Sequence, residues 1–303
     1  MSSPFFSIVI PTYNRQDFIL KTIGSVLNQT FKDFEIIVVD NCSTDDTEDL
    51  LTPLIQSGAI RYIKHDRNYE RAASRNTGMK NAHGRFLTFL DSDDILYPNN
   101  LETAYHFIKS HPNAKFFHSL YELIDTEGKV LYRYRFPSVK NAIQAITEGN
   151  FISCIGFFVA EEVYTYYSFD TSEVLQGIKD WEFSMRILAR YPIARIPYIN
   201  AGIVHHGSRS NTQFKLESYV SKMDYVVGKF KRDPLLQRIY GKHLNRFRRS
   251  CFLLIASQAN TSGFYDIASK YVRKAWLDNP MLIFNTRFLR IAQISFMRIK
   301  GKL

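Results

Sequence analysis

The sequence predicts an α/β fold: a mostly parallel sheet with helices on both faces, followed by a C-terminal region that is helical only. Through the first hundred residues, short apolar runs typical of strands alternate with segments of helical periodicity, and turn residues bound each run. Beyond residue 213 only the helical periodicity continues. We therefore expect a domain over 1–213, with halves of about 1–97 and 98–213, and a helical region over 214–303.

The individual elements follow from composition and periodicity. Strands are expected where apolar and β-branched residues run together, and helices where apolar residues recur every three or four positions. The expected strands are 5–10, 34–39, 60–64, 85–90, 114–124, 130–136 and 193–204. The expected helices are 17–29, 45–55, 71–82, 99–110, 180–190, 214–230, 235–258, 264–277 and 281–300. Because ligands of such sheets bind beyond the carboxyl ends of the strands, the residues that follow each strand are the first candidates for a site.

The composition excludes several classes of protein. Hydrophobic residues make up 45% and charged residues 22% of the 303, which is typical of a globular chain and not of a disordered one. No run approaches the roughly twenty apolar residues that a membrane span needs. The start of the chain lacks the basic residues and cleavage site of a signal peptide, and three scattered cysteines exclude a disulfide framework. We expect a cytoplasmic protein.

The net charge of +10 is concentrated in the C-terminal region, where 18 Lys and Arg stand against 5 Asp and Glu over residues 214–303. Such a region favours a polyanionic partner. The mixture of arginine and apolar residues in 281–300 is typical of a helix that lies on an anionic membrane surface. The alternative is a helical extension that packs on the fold with its charges solvated. No zinc-finger, RNP or helix-turn-helix pattern occurs, so nucleic acid is not an expected partner.

An acidic cluster, Asp91-Ser92-Asp93-Asp94, follows one of the buried strands. Three carboxylates within four residues repel one another, so a cation is expected to neutralise them. Carboxylate oxygens suit Mg²⁺ or Mn²⁺, which usually bind through one or two carboxylates together with substrate phosphates. The alternative is a solvated acidic turn that caps the next helix.

The ends of the neighbouring strands favour the metal interpretation. Asp40 ends the second strand, Pro11-Thr12-Tyr13-Asn14 ends the first, and Arg75 precedes the fourth. A tyrosine to stack on a base, an aspartate to accept a base N–H, an arginine for phosphate and a metal cluster together form a site for a nucleotide diphosphate. No GxGxxG or GxxxxGK[ST] motif occurs, which argues against dehydrogenases and P-loop enzymes.

The run SIVIPTYNR…IGSVLNQTFKDFEIIVVDNCSTDDT…RNTGMKNAHGRFLTFLDSDD resembles the family-2 inverting glycosyltransferases of the GT-A fold that act on bacterial cell-surface glycans. The resemblance is dense over the first hundred residues and weaker to about Thr212. It implies that Thr12 and Tyr13 cradle the donor base and that Asp40 contacts its edge. The donor residues that it implies are Pro11, Thr12, Tyr13, Asn14, Asp40, Arg75, Asp91 and Ser92, with Asp91 and Asp93 holding Mn²⁺ or Mg²⁺ on the diphosphate.

The resemblance also implies a catalytic base. Gly177-Ile178-Lys179-Asp180-Trp181-Glu182 resembles the segment that carries it, with Asp180 at the matching position and Trp181 and Glu182 contacting the acceptor or the donor sugar. The alternative for Asp180 is a helix N-cap. The later His205-His206-Gly207-Ser208-Arg209-Ser210 resembles the family's His-x-x-Ser-x-Ser loop, whose spacing favours His205 over His206 as a metal ligand.

Two residues depart from the family pattern. Lys179 occupies a position where relatives usually have an acid, and a nearby ammonium would favour the charged form of Asp180. Glu70 stands where relatives commonly have glycine, which puts the conformation of that loop in question.

These observations predict a metal-dependent transferase that moves a sugar from a nucleotide-diphosphate donor, UDP-sugar being favoured, to an acceptor hydroxyl with inversion. Processive synthases of the family that the chain resembles usually have a Gln-x-x-Arg-Trp segment and spanning helices, so the absence of both implies single addition. The acceptor is expected to be a glycan or a lipid-linked precursor at the inner face of the cytoplasmic membrane. Two alternatives stay open: a sugar-phosphate nucleotidyltransferase, and a sugar-nucleotide-binding protein without transfer activity.

Overall fold

The computed structural model describes residues 3–207 and 215–300, which form two compact units. Residues 3–142 and 151–207 make the sheet unit, and residues 143–150 and 215–300 make the helical unit. The boundary predicted near residue 213 lies outside the described residues. The composition of residues 143–150 does not predict that they belong to the helical unit.

A mixed nine-stranded sheet is the core of the described sheet unit. Its strands are β1 Phe6–Thr12, β2 Phe34–Asp40, β3 Arg61–Lys64, β4 Phe86–Phe89, β5 Ile95–Leu96, β6 Phe116–Ile124, β7 Val130–Arg133, β8 Phe157–Ala160 and β9 Ile193–Val204. The order across the sheet is β3-β2-β1-β4-β8-β6-β9-β5, and β7 pairs with β6. The α/β class is therefore confirmed.

The sheet is less parallel than the sequence predicts. Strands β3, β2, β1 and β4 are parallel, as is the β6–β9 pair, whereas β8 lies antiparallel between β4 and β6. The four residues of β8 were not expected as a strand, because a fully buried apolar run of that length has no alternating pattern to identify it. The predicted pairing of β6 with β7 is confirmed and is antiparallel.

The helices of the sheet unit bury apolar stripes, as their spacing predicts. In α1 the buried residues Ile19, Ile23 and Val26 recur every three or four positions and so lie on one face. The helices are α1 Ile19–Leu27, α2 Thr47–Gln56, α3 Arg71–Lys80, α4 Asn100–Ser110, α6 Glu161–Tyr164 and α7 Lys179–Leu188. The intervening α5, Ala142–Glu148, belongs to the helical unit from residue 143 onward.

Parallel register brings the strand ends together. Thr12 of β1 lies opposite Asp40 of β2, and Val9 of β1 lies opposite Phe89 of β4. Since the chain leaves all three strands at the same edge of the sheet, the segments that follow them are neighbours in space. This edge holds the residues that the sequence singles out.

The helical unit contains α8 Leu216–Arg232, α9 Pro234–Tyr240, α10 Leu244–Thr261, α11 Tyr265–Asp278 and α12 Thr286–Lys300. Its apolar core joins α10, α11 and α12 through residues such as Ile255, Val272 and Phe288. The helix expected over 235–258 is interrupted by a 3₁₀ turn at Gly241–His243, and the last helix begins only after a 3₁₀ turn at Pro280–Phe284. Among the described residues, none of the helices has the length and apolar character that a bilayer crossing requires.

Candidate functional site

Asp40 is fixed at the end of β2 as a fully buried carboxylate. The Tyr62 hydroxyl donates to its Oδ2 at 2.5 Å, and the Ser43 backbone N–H donates to its Oδ1 at 2.8 Å. Burial and the negative charge of Asp40 raise the pKa of Tyr62 above its ordinary value, which keeps that hydroxyl a donor. The strand end therefore carries a rigid acceptor.

The segment after β1 wraps against the segment after β2. Asn14 adopts the left-handed conformation, with φ of 49°, and its backbone N–H donates to Ser43 Oγ at 2.9 Å. Its side-chain oxygen accepts the Thr44 N–H at 2.9 Å. Next to it, Tyr13 is 42% exposed, whereas the Thr12 hydroxyl is buried and has no hydrogen-bond partner among the described residues. An open aromatic side chain beside a buried unsatisfied hydroxyl is typical of a surface that receives a ligand. Pro11 is buried in the strand.

Two arginines of α3 hold Asp91. Arg75 Nη2 lies 2.7 Å from Asp91 Oδ1, and Arg71 Nη1 lies 3.3 Å from Oδ2. Arg75 is 6% exposed, and its guanidinium lies near the rings of Phe89 and Phe169, at 5.9 and 5.4 Å from their centroids. Its Nε has no hydrogen-bond partner within the described parts of the chain. This buried cation is suited to an anionic substrate as well as to Asp91.

Asp93 is buried and lies between a cation and a histidine. Arg15 Nε is 3.5 Å from its Oδ2, and His206 Nε2 is 3.1 Å from the same oxygen. The His206 ring packs at 4.2 Å on Phe18, and its Nδ1 has no partner among residues 3–207 and 215–300. Ser92 between the two aspartates is also buried.

The structure brings His206 rather than His205 to the acidic cluster. His205 is exposed, and its backbone N–H donates to Ile124 O at 2.7 Å. Asp94 holds the end of β9 beside the cluster, because its Oδ1 accepts the Val204 N–H at 2.9 Å. With Val204 held there, it is the His206 side chain that contacts Asp93. Ser208, Arg209 and Ser210 of the same loop lie outside the described residues.

The acidic cluster is neutralised by the protein's own cations, Arg15, Arg71 and Arg75. No group of three or more His, Cys, Asp or Glu in the described ranges is arranged to hold a metal by itself. Asp91 and Asp93 carry the carboxylate oxygens that Mn²⁺ and Mg²⁺ prefer, and such ions usually bind through one or two carboxylates together with substrate phosphates.

Asp180 is the second residue of α7 and is partly exposed. Burial of its carboxyl raises its pKa above the ordinary aspartate value, the charge of Arg75 opposes the rise, and that of Asp91 adds to it. These mutual effects place Asp180 within electrostatic reach of the Arg75–Asp91 pair. A raised pKa makes the carboxylate a stronger base, which suits the removal of a proton from an alcohol.

Trp181 and Glu182 are more buried than the sequence suggests. Trp181 is 5% exposed and Glu182 is 1% exposed, so little of either side chain is open to a sugar. Arg186, one turn further along α7, donates to both oxygens of Glu182, at 2.7 and 3.0 Å. This bidentate pair stabilises the helix that carries Asp180.

The two departures from the family pattern form one ion pair. Lys179 Nζ lies 2.6 Å from Glu70 Oε2, with 5% of the lysine side chain exposed and 32% of the glutamate side chain. Glu70 has φ of 87°, and its Oε2 also accepts the Ala72 N–H at 3.0 Å, which caps α3. The pair joins the start of the helix that carries Arg75 to the start of the helix that carries Asp180. The Lys179 ammonium is therefore engaged by Glu70.

Sequence reasoning missed Arg15 and Arg71. Both could have been predicted from the sequence. Arg71 lies four residues before Arg75 and so on the same face of the helix, and Arg15 directly follows the strand end Pro11–Asn14. It also missed Tyr121, whose pKa is raised by burial and further by Asp180. No local signal indicates Tyr121, because Tyr121 lies on β6 and Asp180 lies on α7, far apart in the sequence.

Comparison with known proteins identifies the family. The family model described as Glycosyl transferase family 2 matches residues 7–170, more than half of the chain. A putative teichuronic acid biosynthesis glycosyltransferase TuaG from Bacillus subtilis is 28% identical over 179 residues, covering 59% of this chain and 71% of that protein. A UDP-Glc:alpha-D-GlcNAc-diphosphoundecaprenol beta-1,3-glucosyltransferase WfaP from Escherichia coli is 40% identical over 104 residues, covering 34% of this chain and 41% of that protein. The chain spans only about a fifth of the length of the first curated relatives it matches, which are uncharacterised Rickettsia glycosyltransferases.

Solved structures share the fold. S. aureus TarS 1–349 in complex with UDP-GlcNAc superposes with a TM-score of 0.66 at 18% identity, covering 98% of this chain and 92% of that one. The mannosyltransferase PcManGT from Pyrobaculum calidifontis, in complex with GDP-Man and Mn²⁺, gives a TM-score of 0.56 at 15% identity. The match covers 100% of this chain and 89% of that one. At such identities the likeness concerns the fold, and it confirms the predicted GT-A architecture. With the family model matched over more than half of its length, the chain belongs to glycosyl transferase family 2.

Proposed function

We propose that the protein is an inverting glycosyltransferase that moves one sugar at a time from a nucleotide-diphosphate donor to an acceptor hydroxyl. The observation that carries the proposal is the cluster of Asp180, Asp91 and Arg75, in which a carboxyl with a raised pKa lies within electrostatic reach of a buried guanidinium. The cluster combines a base for the acceptor with a cation for the donor's phosphates.

A UDP-sugar is the proposed donor. The exposed side chain of Tyr13 offers a stacking surface for a base, the unsatisfied Thr12 hydroxyl offers a hydrogen bond, and Asp40 is held rigidly beside them. Pro11, Asn14 and Ser92 shape the same strand ends. TarS, which shares the fold, is known in complex with UDP-GlcNAc.

In the proposed reaction, the Asp180 carboxylate takes the proton of the acceptor hydroxyl while that oxygen attacks the anomeric carbon. The new C–O bond forms on the face opposite the leaving group, so the configuration inverts. The bond between the anomeric carbon and the diphosphate oxygen breaks, and its electron pair leaves with the nucleoside diphosphate. Arg75 and Arg71 are placed to stabilise the negative charge of that diphosphate.

Mn²⁺ or Mg²⁺ is the proposed cofactor, held by Asp91 and Asp93 with His206 beside them. Such an ion supplies charge stabilisation to a departing diphosphate. His206 is preferred over His205 because it is the histidine that contacts Asp93. Of the two residues expected to contact a sugar, Trp181 keeps a small exposed part, whereas the side chain of Glu182 is fully buried and paired with Arg186.

The test is a panel of nucleotide sugars, with and without Mn²⁺, read first by thermal stabilisation. A ligand at ten times its dissociation constant adds roughly 1.4 kcal/mol to the free energy of unfolding, enough to detect. Proton NMR of the glycoside then reports the anomeric configuration, which is expected to be inverted. A retained configuration refutes the mechanism, and binding without any transfer supports a non-catalytic sugar-nucleotide-binding protein. Release of diphosphate from a nucleoside triphosphate, with transfer of the nucleotide to a sugar phosphate, supports a nucleotidyltransferase.

A lipid-linked glycan precursor for the cell surface is the proposed acceptor. The relatives TuaG and WfaP carry names that refer to teichuronic acid and to a diphosphoundecaprenol-linked sugar. The proposed location is the cytoplasm, at the inner face of the membrane.

The helical unit offers a surface for that membrane. A cavity of about 390 Å³ is lined by Arg246, Arg249 and Arg287 together with Met281 and Phe284, among others. Met281 is 66% exposed and Phe284 is 74% exposed. Arginines beside exposed apolar side chains are suited to anionic lipid headgroups and the acyl chains beneath them.

Flotation with vesicles of phosphatidylcholine, with and without phosphatidylglycerol, tests the membrane proposal. The intact chain is expected to float only with the anionic vesicles, and Phe284→Asp is expected to abolish flotation. The matched control is Tyr166→Asp, at a tyrosine of the sheet unit that is 70% exposed. An intact chain that stays at the bottom of the gradient with both vesicles overturns the proposal.

A further inference from the structure

An aromatic strip, which we define as Tyr121, Tyr132, Tyr134 and Phe136, lies on the β6–β7 hairpin and the segment that follows it. Tyr121 belongs to β6 and Tyr132 to β7, whereas Tyr134 and Phe136 follow the end of β7. Ring centroids are 5.2 Å apart for Tyr132 and Tyr134, and also for Tyr121 and Tyr134. Tyr121 and Phe136 meet edge to face at 5.0 Å. The four rings form one continuous surface.

The strip is open at one end and buried at the other. Tyr132 is 54% exposed and Tyr134 is 37% exposed, whereas Tyr121 is 7% exposed. A contiguous apolar patch that is partly open to solvent is a candidate for a binding site. Flat, stiff tyrosine side chains also lose little conformational freedom when they bind a ligand.

The buried end of the strip lies within electrostatic range of Asp180. The pKa of Tyr121 is raised mainly by burial and, after its neighbour Tyr134, by the charge of Asp180. The ring of Tyr121, which contacts Tyr134 and Phe136, is therefore the member of the strip on which the charge of the proposed base acts. By contrast Trp181, the aromatic residue next to Asp180 in sequence, is 5% exposed and offers little surface.

We propose that the aromatic strip is the acceptor subsite and that a pyranose ring of the acceptor stacks on Tyr132 and Tyr134 while its hydroxyl is directed to Asp180. One face of a pyranose presents polarised C–H groups, which complement the negative face of an aromatic ring. This inference rests on the proposed function, since it names the subsite that the acceptor uses. The class of ligand is a saccharide, and the rings select it by shape and C–H contact.

The test compares Tyr132→Ala and Tyr134→Ala with Tyr132→Phe and Tyr134→Phe, which keep the ring and remove the hydroxyl. Tyr166→Ala is the matched control, because Tyr166 is an exposed tyrosine of the sheet unit, at 70%, outside the strip. The acceptor probe is an alkyl ester of N-acetylglucosaminyl diphosphate, with UDP-glucose as donor. The KM of each substrate is measured from UDP release, and saturation-transfer NMR detects the probe's pyranose C–H protons on the protein without turnover.

Each alanine variant is expected to raise the KM for the probe relative to the KM for UDP-glucose by roughly three- to tenfold, the range that one lost aromatic contact implies. The saturation transfer to the pyranose protons is expected to fall in parallel, and the phenylalanine variants and Tyr166→Ala are expected to resemble the wild type. An unchanged KM ratio in both alanine variants, or wild-type saturation transfer in both, overturns the subsite. Variants that change only the oligomeric state, measured by light scattering, show that the strip is a contact between copies and likewise overturn it. If wild type releases UDP from no donor but still shows saturation transfer that the alanine variants lose, the proposed function fails and the saccharide subsite stands.

Discussion

Removing either partner of the Lys179–Glu70 ion pair is expected to have unequal effects on stability. Glu70→Gln leaves an ammonium with 5% of its side chain exposed and without its charged partner, whereas Lys179→Met leaves a glutamate with 32% exposed, which water can solvate. Breaking a buried pair so that one charge is left uncompensated costs about 3–5 kcal/mol, and exposed pairs contribute about 0–1 kcal/mol. Because one member of this pair is buried and the other is partly exposed, we expect Glu70→Gln to lower the free energy of unfolding by roughly 2 kcal/mol and Lys179→Met by under about 1 kcal/mol.

Thermal unfolding measures this asymmetry. At roughly 2–4 °C per kcal/mol for a domain of this size, Glu70→Gln is expected to lower Tm by about 4–8 °C and Lys179→Met by less than half as much. The Lys179→Met/Glu70→Gln double variant is expected to recover most of the loss, because no buried charge is left alone. A Tm loss for Lys179→Met equal to or greater than that for Glu70→Gln would refute the reasoning.

Four further substitutions are expected to change stability in a direction that the structure fixes. Burial raises the folded-state pKa of Asp180, so its ionisation destabilises the fold above that pKa, and Asp180→Asn should raise Tm at pH 7 but not at pH 3, as measured by calorimetry. Burial and a neighbouring arginine lower the pKa of His118 to about 3, so stability should fall as pH drops from about 6.5 towards that value, and His118→Gln should make the pH dependence of Tm shallower. A Cβ at Gly84 would lie 2.5 Å from the β1 backbone, so Gly84→Ala should lower the free energy of unfolding, measured in urea, by about 1–3 kcal/mol. A Cβ at Gly24 in α1 would have nothing within 4 Å, so Gly24→Ala should raise the free energy of unfolding by about 1 kcal/mol. A pH dependence of Tm that is the same in the Asp180→Asn or His118→Gln variant as in the wild type would contradict the pKa directions given for these residues. Equal changes in unfolding free energy for Gly84→Ala and Gly24→Ala would contradict the steric argument.

The strand ends could be predicted from the sequence because their signals are local. Apolar runs define β1, β2 and β4, and parallel register then brings Thr12, Asp40 and Asp91 to one edge of the sheet. The placement of Asp180 could be predicted only through the family resemblance, since a single aspartate at the start of a helix is more often a cap.

The remaining features depend on contacts between distant segments. The pairing of Lys179 with Glu70 spans 109 positions in the chain, so two departures that look unrelated in sequence are one interaction in the fold. The choice between His205 and His206 is set by the hydrogen bond from the Val204 N–H to Asp94, which fixes where β9 ends. Neither periodicity nor motif spacing carries such information.

The role of Asp180 is tested most directly by comparing donor binding with turnover in Asp180→Asn. The dissociation constant of UDP-glucose is measured by calorimetry in the presence of Mn²⁺, and the rate of acceptor-dependent UDP release is measured at saturating donor. Because the substitution removes the base and keeps the side chain's shape, we expect the dissociation constant to change by less than about threefold and the rate to fall by roughly 10²–10⁴. A rate within about threefold of the wild type, with donor binding intact, would show that Asp180 does not take the acceptor's proton.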